Sequence, residues 1–287
     1  MNPKYIDIHS HLHFTAFDAD RAEVLKRAQD AGVWMINVGT QYDTSVSAVK
    51  LANSVSSGVF ATVGLHPIHT SKSYHDTQEL GEEGVAFTSR GEEFDYEAYK
   101  KLGQDPKVVG VGECGLDYYR LESDTVERQK KVFREHIRLA DELGKPLMLH
   151  IRNSPEGGAN AYQDALYILK EMNTKVRGDV HFFAGGTEDA RAFLDYGFTL
   201  SFTGAVTFPK SKKPGMADYE ELIKFTPLDM ILTETDCPYI TPVPHRGERN
   251  EPANVRYVAK RIAEIKGLLE SEAAAVLLAN ARRVFNI

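Results

Sequence analysis

Cysteine is nearly absent from this 287-residue chain, with two in total, and two thiols cannot staple a fold of this size into a disulfide scaffold. No run approaches the roughly 18 apolar residues of a membrane-spanning helix. Excess positive charge is missing as well. The 34 Lys and Arg stand against 41 Asp and Glu, a net charge of −7, which argues against a tight non-specific polyanion binder while leaving room for an enzyme with a local basic lip. The opening residues MNPKYIDIHSH lack the basic-then-apolar layout of a secretory leader. The expectation is a cytoplasmic protein with reduced thiols and no membrane contact. There is no internal repeat or low-complexity tract, no Gly-x-Gly-x-x-Gly turn after the first strand and no Walker-type run. What is present is ordinary: 42% hydrophobic and 26% charged residues, enough apolar side chain to exclude dominant disorder.

Eight short apolar runs read as strands: Tyr5–His9, Trp34–Gly39, Val59–Leu65, Val108–Glu113, Pro146–Ile151, Asp179–Phe183, Thr199–Phe202 and Met230–Thr235. Helical periodicity occupies Ala19–Ala31, Thr44–Val55, Val126–Leu143, Tyr162–Met172, Glu188–Tyr196 and Ala217–Phe225, followed by Ala253–Leu268 and Glu272–Val284. Strand alternating with helix eight times predicts an α/β fold, a distorted (β/α)8 TIM barrel formed as one domain over residues 1–287. A doubly wound open sheet fits less well, since it rarely needs eight strands and favours a Gly-rich turn after the first. One stretch breaks the alternation. Residues 76–97 carry eight acids and one base, an acidic insertion between the third and fourth strands whose centre, Glu83–Glu92, reads as a hairpin or an excursion on the surface.

In a barrel the chemistry sits where the strands end. The first strand ends Asp7-Ile8-His9-Ser10-His11, and side chains two apart share a face, so His9 and His11 can both enter the mouth. The fourth ends in Glu113, the fifth in His150, the sixth reaches His181 and the eighth leads to Asp236. A lone His-x-His is a weak signal. Four imidazoles and two carboxylates arriving at one rim are not, and they predict two divalent ions. The natural division gives one ion to His9, His11 and Asp236 and a second to His150 and His181, with Glu113 between them. Asp236 and Glu113 are the expected catalytic groups, Asp236 by orienting a water or taking its proton. Imidazole and carboxylate together suit Zn, Mn, Ni, Co or Fe better than Mg, without naming the ion.

These residues fall within motifs that make the whole chain resemble the TatD family of metal-dependent deoxyribonucleases. The motifs are Asp7-Ile-His-Ser-His-Leu12, Gly64-Leu-His-Pro67, Gly112-Glu-Cys-Gly-Leu-Asp-Tyr-Tyr119, Leu149-His-Ile-Arg152, His181-Phe-Phe-Ala-Gly185, Thr233-Glu-Thr-Asp-Cys-Pro-Tyr239 and Arg249-Asn-Glu-Pro252. The resemblance implies a barrel, divalent metal and hydrolysis of nucleic-acid phosphodiesters, with DNA as substrate. It also implies the same ligand roles for His9, His11, Glu113, His150, His181 and Asp236. Two departures stand out: Phe182 and Ala184 replace the Cys and Ser usual after the sixth-strand His, and the acidic stretch 76–97 exceeds the family's usual connection.

Further residues are open to two readings each. His66 faces the mouth and either bonds a backbone carbonyl or contacts substrate. Arg152, two residues after His150, either forks onto a phosphate or pairs with Glu234 or Asp117. Tyr118 and Tyr119 stack on a base or pack beneath the mouth. Lys210, Lys212, Lys213, Arg246 and Arg249 lie in loops that open on the catalytic side and could guide a polyanion. Asn250-Glu251-Pro252 suits the start of a helix. Cys114 and Cys237 alternate outward from their neighbouring ligands into the barrel–helix layer. The expected function is metal-dependent cleavage of DNA by a monomer. The alternative is hydrolysis of a carbonyl ester or amide, such as aminoacyl-tRNA deacylation, by the same metal–water chemistry.

Overall fold

A computed structural model describes residues 3–72, 74–75, 87–88, 91–119, 125–155, 158–210 and 217–287. Eight parallel strands follow one another around a single sheet: β1 (Tyr5–Ser10), β2 (Val33–Val38), β3 (Val59–Val63), β4 (Val108–Asp117), β5 (Leu147–Arg152), β6 (Gly178–His181), β7 (Thr199–Phe202) and β8 (Ile231–Thr233). Each neighbours the next in sequence, the order expected of a (β/α)8 barrel. The seam between β8 and β1 carries no regular ladder. It is closed by a Ser10–Cys237 bridge, by the His11 amide donating to Cys237 O and by the Asp236 amide donating to His9 O. The barrel is therefore nearly closed, and the closure runs directly through the segments that bear His9, His11 and Asp236.

Nine helices are formed among the described residues: α1 (Arg21–Asp30), α2 (Tyr42–Ser54), α3 (Tyr96–Gly103), α4 (Thr125–Leu143), α5 (Ala161–Glu171), α6 (Thr187–Asp195), α7 (Tyr219–Phe225), α8 (Val255–Lys266) and α9 (Glu270–Phe285). Eight match the periodic stretches in the sequence. The ninth, α3, was hidden inside the acidic run: Asp95 is its N-cap, accepting from the Ala98 amide, and Glu97 lies in its first turn. Acids at a helix start offset the unpaired amides there, so what read as an insertion is at its end a capped helix. Glu92 is likewise structural, accepting from the Tyr99 hydroxyl and the Tyr42 amide. A short antiparallel ribbon pairs Tyr74–His75 with Phe87–Thr88. Residues 76–86 and 89–90, the centre of the acidic stretch, lie outside the described residues, as do Lys212 and Lys213.

Two apolar layers hold the barrel. Ile6, Ile8, Ile36, Val38, Val109, Met148 and Leu232 fill its interior, and Phe285 and Ala281 of α9 pack against them. Burying a phenylalanine there contributes roughly 2 kcal/mol. Asn280 fixes α9 by donating through Nδ2 to Leu228 O and Ile231 O. The alternate side chains, such as Val33 and Met35, face the helices in a larger outer cluster, which also buries Cys114 and Cys237. With the bottom plugged, the polar strand ends are left to converge at the other end.

Candidate metal centre

Glu113 is the hub. Its strand does not stop at it, as the sequence pattern suggests, but continues to Asp117 through a register shift between Val111 and Cys114. Glycine makes that kink possible. Gly112 and Gly115, at φ 147° and 139°, hold conformations that L side chains rarely adopt. A Cβ on Gly64 would lie 2.6 Å from the Gly112 carbonyl carbon, so β3 and the kink can approach only without one. The result turns Glu113 into the mouth. Its Oε2 lies 3.3 Å from His9 Nε2, while Oε1 lies 2.9 Å from His150 Nδ1, 3.2 Å from His66 Nε2 and 3.8 Å from His181 Nε2.

The other groups close around it. His9 Nε2 and His11 Nε2 are 3.2 Å apart, and Asp236 Oδ1 lies 3.5 Å from His11 Nε2 and 3.9 Å from His9 Nε2. Asp236 stands three residues past β8 in a left-handed conformation, φ 56°, with its amide tied to β1 as described. The clasp beneath is Asp7, fully buried: it accepts from the Thr235 amide at 2.8 Å, the Thr235 hydroxyl at 2.6 Å and the His9 amide at 3.2 Å. Asn250 braces the same segment from outside, donating to Thr235 O and Tyr239 O, so it does more than begin a helix. The six side chains expected to meet therefore share one mouth, as His66 does.

Tautomers follow from the partners. His11 Nδ1 donates to Val38 O at 2.8 Å and His181 Nδ1 donates to Glu234 Oε2 at 2.9 Å, so each ring keeps its hydrogen on Nδ1 and turns Nε2 to the centre as the ligating nitrogen. His66 is the reverse. Its Nδ1 accepts from the Ile68 amide, so the neutral ring carries its hydrogen on Nε2, aimed at Glu113. His66 is built as a donor. His150 lies between two carboxylates, with Nε2 2.8 Å from Asp117 Oδ2 and Nδ1 on Glu113.

Electrostatics sort the rings. Burial, with His181 stacked against it at 3.4 Å between ring centroids, depresses His9 to about 4. Burial also lowers His66, aided by His150. Burial opposes charge on His150 as well, but its bonds to Asp117 and Glu113 outweigh that and raise it to about 9. In the same way the charge and hydrogen bond of Glu234 overcome burial and lift His181 to about 10. Glu113 and Asp236 stay below the usual carboxylate range despite burial, held there chiefly by His66 and His9 for the first and His11 for the second.

Lone pairs and carboxylate oxygens converging in a buried nest call for a cation. Ligand atoms of His9, His11 and Asp236 lie within 4.8 Å of one another, as do those of His66, Glu113 and His150, and those of His9, His181 and Glu234. The imidazoles of His9 and His11 with the carboxylate of Asp236 form a donor set that suits a borderline divalent ion. On the other side of Glu113 it is His66 that joins His150 within ligand distance, while His181 Nε2 lies 3.8 Å from the same carboxylate oxygen and groups instead with His9 and Glu234. His9 Nδ1 has no hydrogen-bond partner, so only its Nε2 is committed.

Several residues to which the sequence assigns no part in the centre position it, among them Asp117 and Glu234, which read there only as partners for Arg152. Asp117 and Glu234 sit behind His150 and His181. His136, fully buried in α4, accepts the Leu65 amide through Nε2 at 2.9 Å and so holds the turn bearing His66. A carboxylate two residues from a ligand's strand partner is the one clue that pattern reading could have used. Around the rim, the Arg152 guanidinium lies 3.8 Å from the Tyr119 ring centre, and Tyr118 is buried with its hydroxyl donating to Asp164. Arg249 turns away from a guiding role: it donates to Ala16 O and Asp20 and covers Phe17. Lys210 pairs with Asp218. No helix is long and apolar enough to cross a membrane among the described residues.

Comparison with known proteins agrees with this geometry. The profile of the family described as TatD related DNase matches residues 6–286. A Bacillus subtilis protein described as the uncharacterized metal-dependent hydrolase YabD is 37% identical over 283 residues, covering 98% of each chain. The protein described as 3'-5' ssDNA/RNA exonuclease TatD from Erwinia tasmaniensis is 33% identical over 287 residues, 98% of this chain and 99% of that one. The crystal structure of the Escherichia coli TatD homolog YJJV has a TM-score of 0.81 at 26% identity, covering all of both chains. This chain belongs to the TatD family of metal-dependent hydrolases.

Proposed function

We propose that the protein is a divalent-metal-dependent deoxyribonuclease that hydrolyses phosphodiester bonds at a two-ion centre. The observation that carries this reading is the division of Glu113, one oxygen toward His9 and the other toward His66, His150 and His181. A single carboxylate is thus shared by two donor groups. His9, His11 and Asp236 would hold one ion and His150 and His181 the other, with Glu113 between. Bound there, divalent ions supply Lewis acidity toward a phosphoryl oxygen and a water that ionises near neutral pH. A relative named as an exonuclease on single-stranded DNA and RNA supports a nucleic-acid substrate.

The chain's own residues provide the rest. Asp236, with 14% of its side chain exposed, stands at the open edge with Oδ1 turned to His9 and His11, and its other carboxylate oxygen accepts the proton of the attacking water. The Nε2–H of His66 is aimed inward and donates to a non-bridging phosphate oxygen. Arg152, spread over Tyr119, offers a planar fork for the same phosphate group. Depression of His66 by burial keeps it neutral at physiological pH, so it donates without adding a charge that would repel an ion.

The test is hydrolysis by protein stripped with a chelator and reloaded with Zn, Mn, Co, Ni or Mg. Single-stranded DNA, duplex DNA, RNA and an aminoacyl ester are compared over a range of salt. DNA cleavage should return only with metal, and its log rate should fall linearly with log salt as phosphate contacts release counterions. Ester hydrolysis without DNA cleavage under any ion would replace this reading with the carbonyl alternative.

A further inference from the structure

Glu234 is fully buried beneath the centre, and among the described residues no Lys or Arg pairs with it. A carboxylate in that position is costly unless each oxygen has work to do. Its Oε2 accepts from His181 Nδ1 at 2.9 Å and its Oε1 accepts from the Phe182 amide at 2.7 Å. The neighbouring Asp179 does not compete for these donors, because it accepts from the Thr199 and Ser201 hydroxyls at 2.7 and 2.5 Å.

Two features depend on those bonds. The His181 ring is stacked on His9, which fixes its plane but not which edge faces Glu113. Half a turn about the Cβ–Cγ bond would put Cδ2 in the place of Nδ1 and Cε1 in the place of Nε2, and the bond from Nδ1 to Glu234 selects against that turn and places the ring hydrogen on Nδ1. Phe182 holds φ 44°, a left-handed conformation unfavourable for a bulky residue, and its amide is pinned by the other oxygen. Both donors therefore need an acceptor, and a carboxylate is the side chain with two. An amide in its place has one acceptor and one donor, so it must leave either His181 or Phe182 facing an N–H.

We infer that Glu234 is the positioning residue of the centre, fixing His181 with Nδ1–H on Glu234 and Nε2 toward Glu113 while it anchors the turn that follows. The inference rests on the metal-centre reading above. It assigns Glu234 no contact with substrate.

Zinc-loaded wild-type protein, read by long-range 1H–15N correlation of the histidine rings, should show His181 protonated at Nδ1 and ligated through Nε2. The opposite tautomer overturns the inference without recourse to any variant. In calorimetric titrations with Zn2+, Glu234→Gln should bind roughly 10–100-fold more weakly. In a His181→Ala background the same substitution should cost nothing further, since the ring it aims is gone. A merely structural Glu234 would lower the melting temperature and leave both the tautomer and the zinc affinity of the folded protein unchanged; that result overturns the inference alone. An equal loss of affinity in the His181→Ala background does the same. Wild-type protein that binds no zinc overturns the metal-centre reading, and this inference with it.

Discussion

Gly115 offers the sharpest test of how the backbone builds the centre. It lies two residues from both Glu113 and Asp117, at φ 139°, opposite His150 in the β4–β5 ladder. A Cβ added there would sit 2.1 Å from the His150 carbonyl oxygen, where ordinary contact begins near 3.4 Å. The strands would have to part by about 1.3 Å. An alanine at that φ costs roughly 1–2 kcal/mol. Opening the ladder loses about 1 kcal/mol for each weakened bond, and forcing volume into a packed site adds about 1–3 kcal/mol. Gly115→Ala should therefore destabilise by about 3–6 kcal/mol. Gly144→Ala is the control: its φ is also positive, at 62°, but nothing lies within 4 Å of the added Cβ, so about 1 kcal/mol is expected. Urea denaturation of both metal-free variants separates the terms, and the Gly115→Ala midpoint should fall by roughly 1–2 M. Equal midpoints for the two variants would refute the argument that close strand approach, rather than glycine's dihedral freedom, fixes this position.

Other outcomes follow from the same geometry. Glu113→Ala should fold yet lose metal stoichiometry and all turnover, as read by metal analysis and a nuclease assay, because among the described residues no other carboxylate faces both donor groups; full activity would dispose of the two-ion reading. Asp236→Asn should keep its circular dichroism spectrum while turnover drops by orders of magnitude, and a wild-type rate would remove Asp236 from proton transfer. His136 is held neutral by burial, its pKa lowered from 6.5 to about 4. Between those values the unfolded chain takes up a proton that the folded one refuses, so stability falls as pH drops from 6.5 to 4, by about 3 kcal/mol from this group. In His136→Gln, whose amide oxygen can still accept from Leu65, denaturant melts should show the acid-side loss smaller by about 3 kcal/mol, the remainder coming from groups such as His9; an unchanged pH profile would exclude His136 as a contributor.

The eight strands and most helices were legible because hydrophobic alternation and periodicity are local properties, and a buried parallel sheet writes continuous apolar runs that end abruptly in polar residues. Strand ends such as His9, His150 and His181 were legible for the same reason. The pattern failed at α3, where capping acids mimic a solvated charge run. It also failed at β4, where the irregularity around Gly112 and Gly115 carries the strand four residues past Glu113. Nothing local tells which ring Glu234 and Asp117 hold, or that His136 is more than a helix residue, since their partners lie 53, 33 and 71 positions away.

What the sequence determined by itself was the number and order of strands, and hence which polar side chains would be delivered to one end of a barrel. The tertiary structure decided which nitrogen of each ring faces inward. It gave His66 a hydrogen on Nε2 and turned Nε2 of His11 and His181 to the centre as the ligating nitrogen, because a tautomer is set by the acceptor or donor that happens to lie behind the ring. It also decided that Glu113 would be shared, because only the three-dimensional path of β4 past Gly64 brings each of its oxygens against a different set of histidines.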